Sequence, residues 1–224
     1  MIVAILLAAG QGSRLGGPKA LLLVRDPAAP DSPEMPLIEA QCRDRLAAES
    51  DRVLAVLRPD TAALVAARLQ AAGAEVVVSH APDALGPAGS LAAAAAHLGA
   101  SADVHAVVVT PVDVRTGAAA VRALVDVVAP ASGEERARTT VTSGAASGGG
   151  RAPHEAAPDE PAIIAAVPRF QGRKGHPVVL HPAALARYRE GEPPPLREHL
   201  RGFGERVVVV DVEDSRVAED LDFA

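Results

Sequence analysis

The stretch IVAILLAAGQGSRLGGPKALLL, residues 2–23, decides the fold. Its first seven residues are uninterrupted aliphatic and small side chains, a run that suits a strand buried on both faces. The run ends in Gly10, Gly12, Gly16 and Gly17, with Arg14 and Lys19 among them. Glycines let backbone amides approach an anion and adopt positive φ without strain. Arg14 offers a planar fork for phosphate oxygens, and Lys19 a point charge. Residues 1–25 hold three cations (Arg14, Lys19 and Arg25) and no acid, in a chain of net charge −6. The stretch therefore reads as a strand opening into a phosphate loop. It is not a dinucleotide fingerprint, because Leu15 stands where the third glycine belongs. It is not a Walker-type loop either, because Gly17 is followed by Pro18 before Lys19. The competing reading is a glycine-rich surface turn with solvated cations.

Working outward, apolar runs alternate with helical patterns. Strands are expected at 2–8, 52–57, 75–79 and 105–110, and helices at 36–50, 61–72, 90–98 and 116–128. Repeated strand–helix–strand units predict an α/β fold, a mainly parallel mixed sheet with helices on both faces. Ligands of such sheets bind beyond the carboxyl ends of the strands. Residues 26–33, rich in Pro, Ala and Asp, read as a surface insertion. Residues 131–160 carry Val141 as their only large aliphatic side chain and read as a flexible insertion. Beyond them come a strand at 162–167, a basic turn, a strand near 177–180, two short helical stretches and a last strand at 206–212. The whole of 1–224 reads as a single domain without repeats.

Composition narrows the function. Apolar residues make up 49% of the 224, enough for a large core, and aromatics only 2%, too few to stack bare bases. The acidic balance argues against nucleic acid and anionic membranes as partners. Cys42 is the only cysteine, so no internal disulfide forms, and the apolar start lacks the preceding positive charge of a signal peptide; both suit the cytoplasm. There is no Gly-x-Ser-x-Gly elbow and no His or Cys metal pattern.

Three further stretches carry chemistry. GPAGSLAAAAAHL (86–98) reads as a small-residue loop, from Gly86, entering an Ala-rich helix at Ser90, which is either a helix cap or a ligand contact. VVVTPVDV (107–114) places Asp113 just past a buried strand, a hard oxygen donor suited to Mg²⁺, or a simple turn residue. RFQGRKGHPVVLH (169–181) gathers Arg169, Arg173 and Lys174 without an acid beside Gly175, His176 and Pro177, which suits an acceptor phosphate or a solvated turn.

The segment LLAAGQGSRLGGPKALL resembles the signature of the MobA-like nucleotidyltransferases. The resemblance implies a metal-dependent enzyme that transfers NMP from a nucleoside triphosphate to a phosphorylated small-molecule acceptor and releases pyrophosphate. It implies Ala8, Ala9, Gly10, Gly12, Arg14, Lys19, Gly86 and Ser90 as the nucleotide-binding set, with Arg14, Lys19 and Asp113 catalytic. It implies Arg173, Lys174, Gly175 and His176 at the acceptor, and Mg²⁺, with Mn²⁺ as an alternative, on Asp113. The terminal VAEDLDFA is similar to the family's acidic segment, with Asp222 preferred over Asp220 as a second metal ligand; it departs by lacking the following Thr-Pro-Glu-Asp. The LAAG form resembles the molybdenum cofactor cytidylyltransferase branch, which implies CTP, a molybdopterin acceptor and a molybdoenzyme receiving the product. A sugar phosphate acceptor, and a non-catalytic nucleotide-binding regulatory domain, are the rival readings.

Overall fold

The computed structural model describes residues 1–12, 17–25, 31, 33–48, 50–130 and 161–219. Arg14, Asp220, Asp222 and the 131–160 insertion lie outside the described residues, as does most of 26–33. The elements run β1 (Ile2–Leu7), β2 (Leu23–Val24), β3 (Met35–Pro36), α1 (Leu37–Ala47), β4 (Arg52–Leu57), α2 (Pro59–Ala71) and β5 (Glu75–Val78). They continue with α3 (Gly86–Leu98), β6 (Ala106–Pro111), α4 (Ala118–Val128), β7 (Ala165–Phe170), β8 (Arg173–Lys174), β9 (Val178–Leu180), α5 (Leu196–Arg201) and β10 (Val207–Asp211).

Seven strands form one sheet in the order β10-β7-β9-β6-β1-β4-β5, with β8 paired to β7 as an eighth. β1 lies parallel to both β4 and β6, and β4 is parallel to β5. β9 runs antiparallel between β6 and β7 and makes the sheet mixed. β2 and β3 form a separate two-stranded antiparallel ribbon flanking 26–33.

The fully buried strands explain the apolar runs in the sequence. Successive strand residues face opposite sides. Ala4 and Leu6 pack with Leu37 and Ile38 of α1, Val65 and Leu69 of α2, and Val121 and Leu124 of α4. Val3 and Ile5 pack on the other side with Leu91, Ala94 and Ala95 of α3 and with Leu185 and Tyr188. Among the described residues no helix is long and apolar enough to cross a membrane.

Several expected bounds move. α2 starts at Pro59 rather than Thr61, and α3 at Gly86 rather than Ser90, each with a proline in its first turn, where the missing N–H costs nothing. α4 starts at Ala118, because Thr116 and the Gly117 N–H are engaged by other segments. The strand expected at 162–167 is β7, which runs on through Pro168 to Phe170.

β1 connects to β4 on one side and β6 comes to lie on its other side. The strand order thus reverses at β1, and a crevice opens beyond the carboxyl ends of β1 and β6.

Candidate active site

A cleft of about 360 Å³ lies along this edge of the sheet. Leu7 and Pro111, the last residues of β1 and β6, line it together with Ala9, Gly10 and Gln11 from the loop after β1. Arg58 follows β4; Ser79, Ala81, Pro82 and Asp83 follow β5; and Gly86, Pro87 and Ser90 come from the first turns of α3. Gly86 and Ser90 therefore do border the cleft, but as part of a helix. The small-residue loop expected at 86–89 is the opening turn of α3, and Ser90 sits inside the helix, not at its cap. Ala8 is buried in the core, its N–H donating to Val56 at 3.0 Å, and only its neighbours reach the cleft.

Asp83 ties three loops together. Gln11 Nε2 donates to its Oδ2 at 2.5 Å, and Arg58 pairs with its Oδ1. Gln11, Arg58, Ser79 and Asp83 escaped the sequence reading. The signal for them was present, since each stands at the end of an expected strand or within four residues past it.

The glycine loop closes on itself. Gly12 has φ +60°, and a Cβ there would stand 1.8 Å from the Gly17 carbonyl oxygen. Gly10 is different: a Cβ on it meets nothing within 4 Å, so the protein itself makes no demand for glycine. Past the loop, Lys19 begins a short 3₁₀ turn, and its Nζ donates to Asp113 Oδ2 at 2.5 Å. The pair is partly shielded, with side-chain exposures of 34% and 19%. The expected surplus of positive charge in residues 1–25 is thus partly neutralised, because Arg25 also pairs, with Glu34 at 3.2 Å.

β9 enters this edge from the other direction. Val178 lies opposite Val109, so Gly175, His176 and Pro177 arrive at the carboxyl end of β6, on the side of that strand away from β1. Arg173 and Lys174, in β8, are exposed and make no ion pair among the described residues. Arg169 does not join them. It makes a two-pronged pair with Asp211 at 2.6 and 2.7 Å, so the cluster of three expected cations is a cluster of two.

Gly175 is required by packing. A Cβ on it would lie 1.6 Å from the Val217 carbonyl oxygen. That oxygen accepts the His176 N–H at 2.8 Å, and the His176 carbonyl accepts from Thr116 Oγ1 at 3.2 Å. The His176–Pro177 peptide is cis. Next to this junction, Asp214 accepts the Gly117 N–H at 2.8 Å. Burial raises the Asp214 carboxyl, but its bonds to Arg216 and Gly117 outweigh that and hold it below its usual range. The 214–218 segment therefore fastens both the start of α4 and the Gly175–His176 turn.

Among the described residues no three His, Cys, Asp or Glu side chains cluster to hold a metal. Asp113 is a single half-buried carboxylate whose Oδ1 accepts no hydrogen bond among these residues. It fits a cation of the Mg²⁺ type, which keeps several waters and takes phosphate oxygens as ligands alongside one or two protein carboxylates.

The model of the MobA-like NTP transferase domain matches residues 4–208. No curated protein sequence matches the chain. In fold the chain is similar to the Rv0371c homologue from Mycobacterium sp. strain JC1, with TM-score 0.63 and 20% identity over 94% of this chain and 85% of that one. It is similar to Rv0371c of Mycobacterium tuberculosis H37Rv in complex with manganese, with TM-score 0.58 and 21% identity over 94% and 88%. It is also similar to a 4-diphosphocytidyl-2C-methyl-D-erythritol synthase from Anaerococcus prevotii, with TM-score 0.58 and 12% identity over 99% and 91%. At these identities the solved structures speak for the fold, while the family match runs through the glycine loop, the cleft, Asp113 and the Gly175–His176 turn alike: the chain belongs to the MobA-like NTP transferase family.

Proposed function

We propose that this single nucleotidyltransferase domain transfers NMP from a nucleoside triphosphate, with CTP favoured, to a phosphorylated acceptor of the molybdopterin kind, and releases pyrophosphate. One observation carries the reading. Asp113, which holds Lys19, follows β6; the cleft lies on the side of β6 that carries β1, β4 and β5, and the exposed Arg173 and Lys174, paired to the end of β7, lie on the side that carries β9 and β7. A donor held in the cleft and an acceptor phosphate held at the basic turn would meet at this pair.

The chemistry needs no protein nucleophile. An oxygen of the acceptor phosphate attacks the α-phosphorus, the bond from the α-phosphorus to its bridging oxygen breaks, and pyrophosphate leaves with the electron pair. Two anions must approach, so alignment and neutralisation supply the catalysis. In the free protein Asp113 holds Lys19. An incoming triphosphate offers Lys19 a more highly charged acceptor, so Lys19 turns to the phosphates, with Arg14 as a second donor. This frees the Asp113 carboxylate for a cation. A divalent ion held there, with Asp222 as the second carboxylate, would neutralise phosphate charge and polarise the phosphorus.

The preference for CTP and for a molybdopterin acceptor rests on the LAAG form of residues 7–10, and the product would pass to a molybdoenzyme. The test is pyrophosphate release from CTP, GTP, ATP and UTP, each with molybdopterin or a sugar phosphate, with Mg²⁺, with Mn²⁺ and with EDTA. Release with CTP and molybdopterin that EDTA abolishes is the expected result. Tighter use of GTP reverses the base, turnover only with a sugar phosphate reverses the acceptor, and binding without turnover on any pair favours a regulatory role.

A further inference from the structure

Gln41 and Arg45 lie one turn apart on α1, and both are buried, at 0% and 1% exposure. Polar side chains so placed need partners. The Gln41 Nε2 donates to the carbonyl oxygens of Val112 and Val114, each at 3.0 Å. Two acceptors face the amide, so the NH₂ group must point at them; the flipped amide would set oxygen against oxygen. These carbonyls flank Asp113. The same segment is held by the Val112 N–H on the Leu7 carbonyl at 3.1 Å and the Val114 N–H on the Pro111 carbonyl at 3.2 Å. One turn further along α1, Arg45 Nη2 reaches the Thr116 carbonyl at 3.4 Å, and Asp44 takes Arg115 at 2.8 Å. α1 thus grips the loop on both sides of Asp113 while making no hydrogen bond or ion pair with its carboxylate.

We propose that Gln41 is a positioning residue for Asp113. It acts through the peptide groups on either side, and the proposal rests on the reading of Asp113 as the carboxylate that meets the cation. Without the amide, two buried carbonyls lose their donor, which is costly enough for the peptide groups to rotate. Rotation on either side of Asp113 swings its carboxylate away from Lys19 and from the place where the phosphates meet. The amide thereby sets the direction of a group to which it makes no hydrogen bond, as outer-shell partners orient the ligands of metal sites.

The test uses the full chain with Mn²⁺ and a non-hydrolysable α,β-methylene CTP, with binding read from the loss of the free Mn²⁺ electron paramagnetic resonance signal. Gln41→Met removes the donor at similar volume; Gln41→Asn keeps an interior amide too short to span both carbonyls. Asp113→Asn and the Gln41→Met/Asp113→Asn double variant complete the set. All are measured well below their melting temperatures. Gln41→Met and Gln41→Asn are expected to weaken Mn²⁺ binding on the order of tenfold, and Gln41→Met to add nothing further in the Asp113→Asn background. Unchanged Mn²⁺ binding in a folded Gln41→Met protein, with Asp113→Asn weakened, overturns the positioning role. So does a fully additive double variant, which marks a general structural effect. If neither Gln41 variant folds at 10 °C, Gln41 is a folding determinant and the inference is overturned. Unchanged binding in Asp113→Asn itself overturns the reading of Asp113, and the inference with it.

Discussion

Gly10 and Gly12 sit two residues apart and do different work. At Gly12 the chain approaches its own Gly17 carbonyl so closely that no side chain fits, whereas at Gly10 the protein leaves open space. A Gly10→Ala protein is therefore expected to melt like the parent, yet to bind triphosphate at least several-fold more weakly, because the added methyl enters the cleft. Equal affinity in a calorimetric titration would separate Gly10 from the ligand. Lys19→Ala tests the neighbouring cation. Loss of one donor that stabilises charge in the transition state typically costs about 3 kcal/mol, or on the order of a hundredfold in turnover. Stability should change little, since the Lys19–Asp113 pair is partly exposed. Steady-state pyrophosphate release beside a thermal melt reads both, and full turnover in a folded Lys19→Ala protein refutes the assignment. Lys19 was legible in the sequence as a cation of the glycine loop, and Asp113 as a carboxylate just past a buried strand. Their pairing across 94 positions was not, because no local pattern encodes it. The same holds for Arg58 and Asp83, whose partnership only the folded chain reveals.

At the scale of elements, strands were easier to read than helix starts, for a physical reason. β1, β4 and β6 are buried on both faces and so appear as unbroken apolar runs. The helix starts were expected at Thr61, Ser90 and Thr116, residues whose hydroxyls favour caps. The true N-caps of α2, α3 and α4 are Arg58, Leu85 and Gly117, and none of them caps with its side chain. Proline in the first turn marks two of these starts, and Asp214, brought from far along the chain, takes the Gly117 N–H at the third. Short β8, with both residues exposed, looked like a turn because two residues carry no period. The 214–218 segment was read only as part of an acidic end, yet it packs against Gly175. Gly175→Ala should drive a methyl into the Val217 carbonyl and displace that segment. Overpacking of this kind costs about 1–3 kcal/mol, and each kcal/mol lowers the melting temperature of a domain this size by roughly 2–4 °C. Differential scanning calorimetry measures the drop. A melt identical to the parent's would show that the segment does not dock there in solution.

The molecule as a whole is held by small aliphatic side chains, and its one cysteine lies deep among them. Cys42 on α1 is fully buried, and its thiol is pushed up to about 12 by burial, with a smaller push from Glu39. It should resist an aromatic disulfide at pH 8 in the native protein and react stoichiometrically in urea, so labelling reports opening of the core. Fast native labelling would contradict the packing of α1 on the sheet. Acid should open the molecule for a different reason. Glu75 is bonded by Arg52 at 2.7 and 2.9 Å and meets His97 at 3.1 Å, and the Arg52 bond chiefly holds its carboxyl down at about 2, against an ordinary value of 4.5. Asp211, through Arg169, and Asp214, through Arg216 and Gly117, are shifted the same way. Each of these groups binds a proton more weakly folded than unfolded. Their contribution is therefore complete above the unfolded value and is lost as pH falls through the folded one. The carboxylate share of the melting temperature should be nearly level from pH 7 to about 5 and then fall between 4.5 and about 2, the window set by Glu75. His181, held below its ordinary value of 6.5 by burial and then by Arg206, adds a smaller loss that begins as pH falls past 6.5. Glu75 is 40% exposed, so solvent screening keeps its own share small. Glu75→Gln should accordingly melt slightly lower at pH 7 and lose less on acidification than the parent. Parallel melting curves for parent and Glu75→Gln across that window would show that the Arg52 bond leaves no imprint on stability, and that acid acts on other carboxylates.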